Sequence, residues 1–332
     1  MFFARIASLS QIGLAVLAPA LTPVLASAPA AAQSYPSKPI TIVEGFPAGS
    51  GLDIIGRIIQ GPLEKALGGT IVFDYKSGAG GNVASEYVAK ATPDGYTILF
   101  GTAGTHGINA SLYKKLSFDV EADFTPIGPV VDVPNVLTVN PKIVDAKTVT
   151  EFIAILKKQP GKLNYGSSGN GASTHLGFAQ FNVAAGIDMV HIPYKGSPPA
   201  IQAMLNGETC CQFAQLQTVL GQHKAGTLRL IAMSTSKRVP LLPDIPTIGE
   251  TLKGFESVTW YGFFGPKGLD AAIVNKINSA LKTVLEDKEV VDKLAAIGNG
   301  VRYETPEQFK ATVKKDRAQW AEVVKKSGAT VD

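Results

Sequence analysis

The sequence predicts an α/β protein of two lobes, each a mixed, mostly parallel sheet flanked by helices. Three observations carry that expectation. Short β-branched runs alternate with amphipathic stretches, the order of a βαβ repeat. A glycine- and hydroxyl-rich loop follows a strand-like run twice, at 45–53 and at 166–174, each time leading into a helical pattern. Two long extended runs, 127–139 and 255–264, are what a discontinuous first lobe needs, because the chain must leave it once and return once. The expected division is a lobe of residues 33–134 with 262–332 and an inserted lobe of 135–261.

Met1 to Ala32 precede this pattern. Arg5 is their only charge, Pro19 and Pro23 interrupt an apolar run, and Ala30-Ala31-Ala32 before Gln33 supplies a small-x-small cleavage pattern. The segment reads as a secretory signal peptide cut after Ala32, since the prolines leave no uninterrupted span of the ~20 residues that a bilayer needs. A mature chain of about 300 residues allows one large or two medium α/β units. The formal net charge of +4 over 332 residues is too even for a nucleic-acid partner. A monomer outside the cytoplasm is expected.

Ile40 to Val43 reads as the first strand, and Asp53 opens a helix whose Ile54, Ile55, Ile58, Ile59, Leu63 and Leu67 make one apolar stripe. Gly68-Gly69 ends it. Ile71-Val-Phe leads to a second glycine loop, Ser77 to Asn82, and a helix from Val83 to Ala91. Pro93-Asp-Gly95 is a turn, Tyr96 to Phe100 a strand, and Gly101 to Asn109 a polar loop. In such a repeat, ligands gather at the carboxyl ends of the strands, so the loops at 45–53, 78–82 and 101–109 share one edge. Thr148 is the expected N-cap of a helix from Val149 to Lys158, and Pro160-Gly161 stops it. Leu163-Asn-Tyr, Met189 to Pro193, Thr209 to Phe213 and Arg229 to Met233 are the strands of the second set, with helices from Ser173 and from Ala200. Helices are expected at 271–286, 288–296 and 306–326, with a short strand near Val301.

Cys210 and Cys211 are adjacent, and neighbouring strand residues point to opposite faces, so a disulfide between them would require a strained ring. They are expected as buried, reduced thiols. His106, His175, His191 and His223 are scattered. Ser167 or Ser168 with His175 and Asp188 could form a triad on paper, but no Gly-x-Ser-x-Gly elbow is present, and no Walker, Cys-x-x-Cys or His-Glu-x-x-His motif either. No catalytic residue, cofactor or metal site is expected.

Phe46, Gly49, Ser50 and Gly51, with Thr102, Gly104, Thr105 and Asn109, are expected to face Ser167, Ser168, Gly169, Gly171, Ser173 and Thr174. Cations are scarce in these loops. Backbone N–H groups and hydroxyls beside an apolar wall favour a carboxylate over a multiply charged phosphate. Either loop alone is compatible with ordinary turn and cap chemistry. Two opposed sets favour the binding reading.

The carrying motifs now stand in order: Tyr35-Pro-Ser-Lys-Pro-Ile40, Phe46 to Asp53, Gly78-Ala-Gly-Gly-Asn82, Pro93-Asp-Gly-Tyr96, Gly101 to Asn109, Leu163 to Gly171, Ser173-Thr-His-Leu176, Pro193-Tyr-Lys-Gly-Ser197 and Leu242 to Thr247. Over nearly its whole mature length the chain resembles the Bug receptors, the periplasmic solute-binding receptors of the tripartite tricarboxylate transporter system. The resemblance implies a type II periplasmic binding protein fold closing on a small carboxylate, with the large and small inner-membrane transporter subunits as partners. It implies ligand contacts from Phe46, Gly49, Ser50, Gly51 and Asp53, from Ala103, Gly104, Thr105 and His106, from Ser167, Ser168, Gly169, Gly171, Ala172 and Thr174, and from Gln215.

Departures from the family pattern bear on the ligand. Where the family often reads Pro-Gly-Gly-Gly-Thr-Asp, this chain has Ala48-Gly-Ser-Gly-Leu-Asp53, and Ala172 replaces a common Thr. Where amino-acid binders place an Asp for the ligand ammonium, the alignment puts Ala214, followed by Gln215. An unpaired ammonium in a closed cleft costs several kcal/mol. The expected ligand is therefore an acid without an α-amino group: an aliphatic dicarboxylate, a hydroxy acid or an aromatic carboxylate. A binding protein that signals to a membrane sensor kinase is the alternative.

Overall fold

The computed structural model describes residues 35–331, so the expected leader at 1–32 lies outside the described residues. Strand β1 (Ile40–Glu44) alternates its side chains between two cores, Ile40 and Ile42 on one face and Val43 on the other. It pairs in parallel with β2 (Ile71–Tyr75) and β3 (Thr97–Thr102). Helix α1 (Gly51–Leu67) joins β1 to β2 and buries Ile55, Ile59, Leu63 and Leu67. Ser50 caps its start, and Gly68, left-handed at φ 73°, ends it. On the opposite face α2 (Asn82–Ala89) packs Ala84 and Val88 against Val43 and Leu99.

One strand joins the two lobes. β4 (Phe124–Val139) is 16 residues long, and it changes partners midway. From Phe124 to Pro134 it lies antiparallel to β9 (Val258–Pro266), with the short β10 (Gly300–Val301) on Val131 and Asp132. From Asn135 to Val139 it pairs instead with β7 (Cys211–Gln215) and β8 (Arg229–Met233). The register on β9 shifts between Pro126 and Gly128 and between Pro129 and Val131, where prolines supply no N–H to the ladder. β5 (Asn164–Ser167) runs parallel to β6 (Val190–Pro193) and to β7. The whole order is β2-β1-β3-β9-β4-β7-β5-β6, parallel at both flanks and antiparallel through the centre.

The second lobe is flanked by α4 (Val149–Lys157), α5 (Ser173–Ala185), α6 (Ser197–Asn206) and α7 (Leu216–Lys224). Thr148 Oγ1 accepts from Glu151 N–H, the expected cap. The chain then returns to the first lobe with α8 (Ala271–Glu286), α9 (Lys288–Ala295) and α10 (Pro306–Ser327). α10 carries Trp320 and Val324 into a cluster with Ile108, Leu112 and Leu176, which ties the first lobe to α5. The stretch expected as a polar loop at 101–109 is regular structure: Gly101 and Thr102 end β3, and a π-helical turn, Gly104–Ile108, runs into α3 (Asn109–Leu112). Among the described residues no helix is long and apolar enough to cross a membrane. Cys210 and Cys211 are free and buried, their sulfurs 3.3 Å apart.

Candidate functional site

The parallel flanks bring the carboxyl ends of β1, β3, β5 and β7 to one seam, where four loops meet. After β1, Gly49 takes φ 77° and Ser50 caps α1 by accepting Asp53 N–H at 3.3 Å. The Asp53 carboxylate accepts from Gly49 N–H at 2.8 Å, from the Tyr75 hydroxyl at 2.6 Å and from Arg57 Nε at 3.1 Å. Burial pushes that carboxyl up, but these three donors outweigh it and hold it below the usual range. Both residues thus spend their polar atoms within their own lobe. Gly51 faces the other lobe: a methyl there would meet Gln215 Oε1 at 2.3 Å, and Gln217 Nε2 donates to Gly51 O at 3.3 Å.

After β3, Thr102 and Thr105 close a reciprocal pair. Thr105 Oγ1 accepts Thr102 N–H at 2.9 Å, and Thr102 Oγ1 accepts Thr105 N–H at 3.2 Å. Gly104 stands against the second lobe, where an added methyl would lie 3.0 Å from Gly171 O. Ala103 and His106 are not in the seam. Ala103 packs in the core of the first lobe, and His106 is fully buried, stacked on Phe264 at 3.8 Å with Nδ1 at 2.9 Å from Thr105 Oγ1. Burial, with Arg317 nearby, pushes its pKa down to about 3. The π-helical turn, Gly104–Ile108, carries the His106 side chain into the core, while Gly104 stands at the surface of contact.

After β5, Ser167 Oγ lies 2.6 Å from His191 Nε2 and accepts Gly169 N–H at 3.1 Å. Thr174 Oγ1 accepts Ser168 N–H at 3.0 Å and lies 2.9 Å from Ser168 Oγ. His175 Nδ1 accepts Gly171 N–H at 3.3 Å and its ring stacks on His191 at 3.9 Å. Burial pushes His175 down to about 4, and burial with His175 alongside pushes His191 down to about 3. Ser167 and the two imidazoles therefore form a loop brace of neutral groups. Asp188 contributes no contact to it.

Side chains cap some helix starts at the seam and not others, and Ser50 caps α1 there. α4, α8, α9 and α10 are each capped by a side chain. α2, α5, α6 and α7, which start at the seam from Gly81, Ala172, Gly196 and Gln215, are not. At α2 the first N–H, that of Asn82, is taken by Ala79 O of the preceding turn; the other leading N–H groups have no intrahelical acceptor, and the helix dipoles add positive potential there.

A cavity of about 190 Å³ lies between the lobes, lined by residues 45–47, 77–81, Tyr113, 168–170 and 193–196. Of the expected residues, Phe46, Ser168 and Gly169 line it. Gly49, Ser50, Gly51, Asp53, Gly104, Thr105, Ser167, Gly171, Ala172, Thr174 and Gln215 stand in the loops around it without lining it. Residues 77–81, Tyr113, Tyr194 and Lys195 line the cavity as well, although none of them is among the expected contacts, and Gln217 reaches Gly51 beside it. The Pro193 to Ser197 motif was the available signal for two of these.

Ala214 packs with Val136, Met204 and Val219, while Gln215, one residue on, faces Gly51. Successive strand residues point to opposite faces, so Gln215 is the residue that can look across the seam.

Comparison with known proteins adds to this geometry. A family profile described as the tripartite tricarboxylate transporter family receptor matches residues 55–329. Protein BugT of Bordetella pertussis is 32% identical over 305 residues, covering 91% of this chain and 93% of its own. Among solved structures, R. palustris Rpa4515 with adipate is similar at a TM-score of 0.87 and 32% identity, over 90% of this chain and 100% of that one. The periplasmic binding protein BugD gives 0.84 and 35%, over 89% and 99%. MatC from Rhodopseudomonas palustris with bound malate gives 0.83 and 30%, over 87% and 100%.

Proposed function

Because the chain belongs to the tripartite tricarboxylate transporter receptor family, whose members are periplasmic solute-binding receptors and not enzymes, we propose that it closes its two lobes on a small carboxylate without an α-amino group and hands it to the membrane subunits of such a transporter. The observation that carries this reading is the pair of helix starts without side-chain caps that line the cavity, α2 from Gly81 in one lobe and α6 from Gly196 in the other, with the start of α5 following the Ser168 to Asn170 lining. Converging N–H donors hold a carboxylate through directional bonds, and its release breaks no buried ion pair.

The absence of acids among the cavity-lining residues argues against an ammonium-bearing ligand, and Asp53 is engaged by three donors of its own lobe. The solved relatives holding adipate and malate support the same class. On this reading the Ser168–Thr174 loop and the Phe46 to Gly51 loop are the two jaws, and the lobes divide as 33–134 with 262–332 and 135–261. The partner change of β4 at Pro134 and Asn135 supports the first boundary.

A thermal-shift screen over organic acids, followed by calorimetric titration, tests the proposal. A ligand at 100 times its Kd is expected to stabilise the protein by about 2.7 kcal/mol. Tight binding of aspartate or glutamate, with no response to dicarboxylates, hydroxy acids or aromatic acids, would overturn it. Delivery is tested by uptake in vesicles carrying the large and small subunits, where the loaded receptor is expected to be required.

A further inference from the structure

Sixteen residues line the cavity, and Lys195 is the one charged side chain among them. Its backbone is fixed on both sides: Tyr194 N–H donates to Ser167 O at 3.0 Å, and Gly196 N–H donates to Ser168 O at 3.2 Å. Gly196, at φ 108°, lies so near Pro47 that an added methyl would meet its Cδ at 2.6 Å. The turn carrying Lys195 is thus pinned to one jaw by hydrogen bonds and seated on the other by contact. The side chain itself is exposed and makes no ion pair among the described residues.

We propose that Lys195 is a specificity-determining residue that receives a second anionic group of the ligand at the mouth of the cavity, so that the receptor prefers dicarboxylates to monocarboxylates of the same chain length. The inference rests on the carboxylate reading above. One carboxylate is met by uncapped N–H donors, which are neutral and carry no length requirement. The second group finds a flexible, mobile-headed cation whose stem can follow the chain length of the ligand. A cavity of about 190 Å³ has room for roughly six waters at their share of liquid volume, hence for a short organic acid. No lining carboxylate competes for the ammonium group.

The test is calorimetric titration of the mature receptor with two matched pairs, succinate with butyrate and adipate with hexanoate. The unmodified protein is expected to prefer the dicarboxylate in at least one pair by roughly ten-fold, with the preference shrinking as salt is raised. Lys195→Met should bring that ratio towards one, and Lys195→Arg should keep most of it. A ratio unchanged in Lys195→Met, or no preference in the unmodified receptor that nevertheless binds these acids, overturns the role of Lys195 and leaves the carboxylate reading standing. Binding of no carboxylate at all overturns both. Circular dichroism of the variants identifies any loss that comes from misfolding.

Discussion

Glu44 ends β1 with both carboxylate oxygens buried and without a hydrogen-bond partner. Its Oε1 is close enough to α1 that a methyl on Gly56 would lie 2.9 Å away, and Phe73 closes the same spot. Burial, with Asp53 adding to it and Arg57 opposing it, pushes the carboxyl up to about 9. The folded state therefore holds this proton more tightly than the unfolded chain. Stability present below the ordinary carboxylate range is lost as pH rises from there towards 9, a cost of up to about 3 kcal/mol at neutral pH. Glu44→Gln should recover most of it at pH 7.5 and nothing near pH 4, measured by urea unfolding at the two pH values. An equal gain at both would assign the effect to packing. Ser50 and Asp53 teach the complementary lesson: both were legible as site residues by position, yet their polar atoms are taken by the cap and by Gly49, Tyr75 and Arg57.

At the scale of elements, the close approach of two loops governs whether the lobes can meet. Gly80, at φ 61°, faces Asn170 so tightly that an added methyl would lie 2.0 Å from its carbonyl oxygen. Backbone meets backbone there, so no rotamer change relieves the clash. Gly80→Ala should weaken ligand binding by about ten- to a hundred-fold through impeded closure, beyond the roughly 1 kcal/mol that a left-handed Ala costs the loop. Gly61→Ala in α1, where nothing lies within 4 Å, should leave affinity alone and stabilise the helix by up to about 1 kcal/mol. Comparable affinities for the two variants would show that these loops need not touch in the bound state. The glycine run at 78–82 is visible in the sequence as a turn, but its partner, ninety residues away in the other lobe, is set by tertiary contact alone.

For the molecule as a whole, three imidazoles in two lobes, His106 and His175 buried and His191 half-buried, set the acid side of stability. His106, His175 and His191 are held neutral with pKa values pushed down to between about 3 and 4, chiefly by burial. Below pH 6.5 the unfolded chain binds more protons than the folded one, so stability falls from there towards pH 3–4. Glu44 works in the opposite direction, as do Asp132 and Asp316, which burial also pushes up. Stability should therefore peak between about pH 6 and 7, and Glu44→Gln should flatten the alkaline side of that peak and steepen the acid side above the ordinary carboxylate range, where the cost of the buried Glu44 carboxylate begins. A series of denaturation midpoints from pH 4 to 9 measures this. A flat profile between pH 7 and 5 would contradict the neutral imidazoles.

Most strands and helices, the two glycine loops and the family were legible in the chain, because periodicity, turn residues and motif order are properties of neighbours in sequence, whereas the π-helical turn with α3 and the helix α7 were not. The fate of individual polar atoms was not. The parity of β7 turns Ala214 into the core and Gln215 across the seam, and a π-helical turn buries the His106 side chain against Phe264. Lys195 reaches the cavity only because its turn is bonded to one jaw and seated on the other. Local sequence decides which groups can bind an anion. Only the packed structure decides which of them remain unspent, since each hydrogen bond made at home removes a donor or acceptor from the cleft.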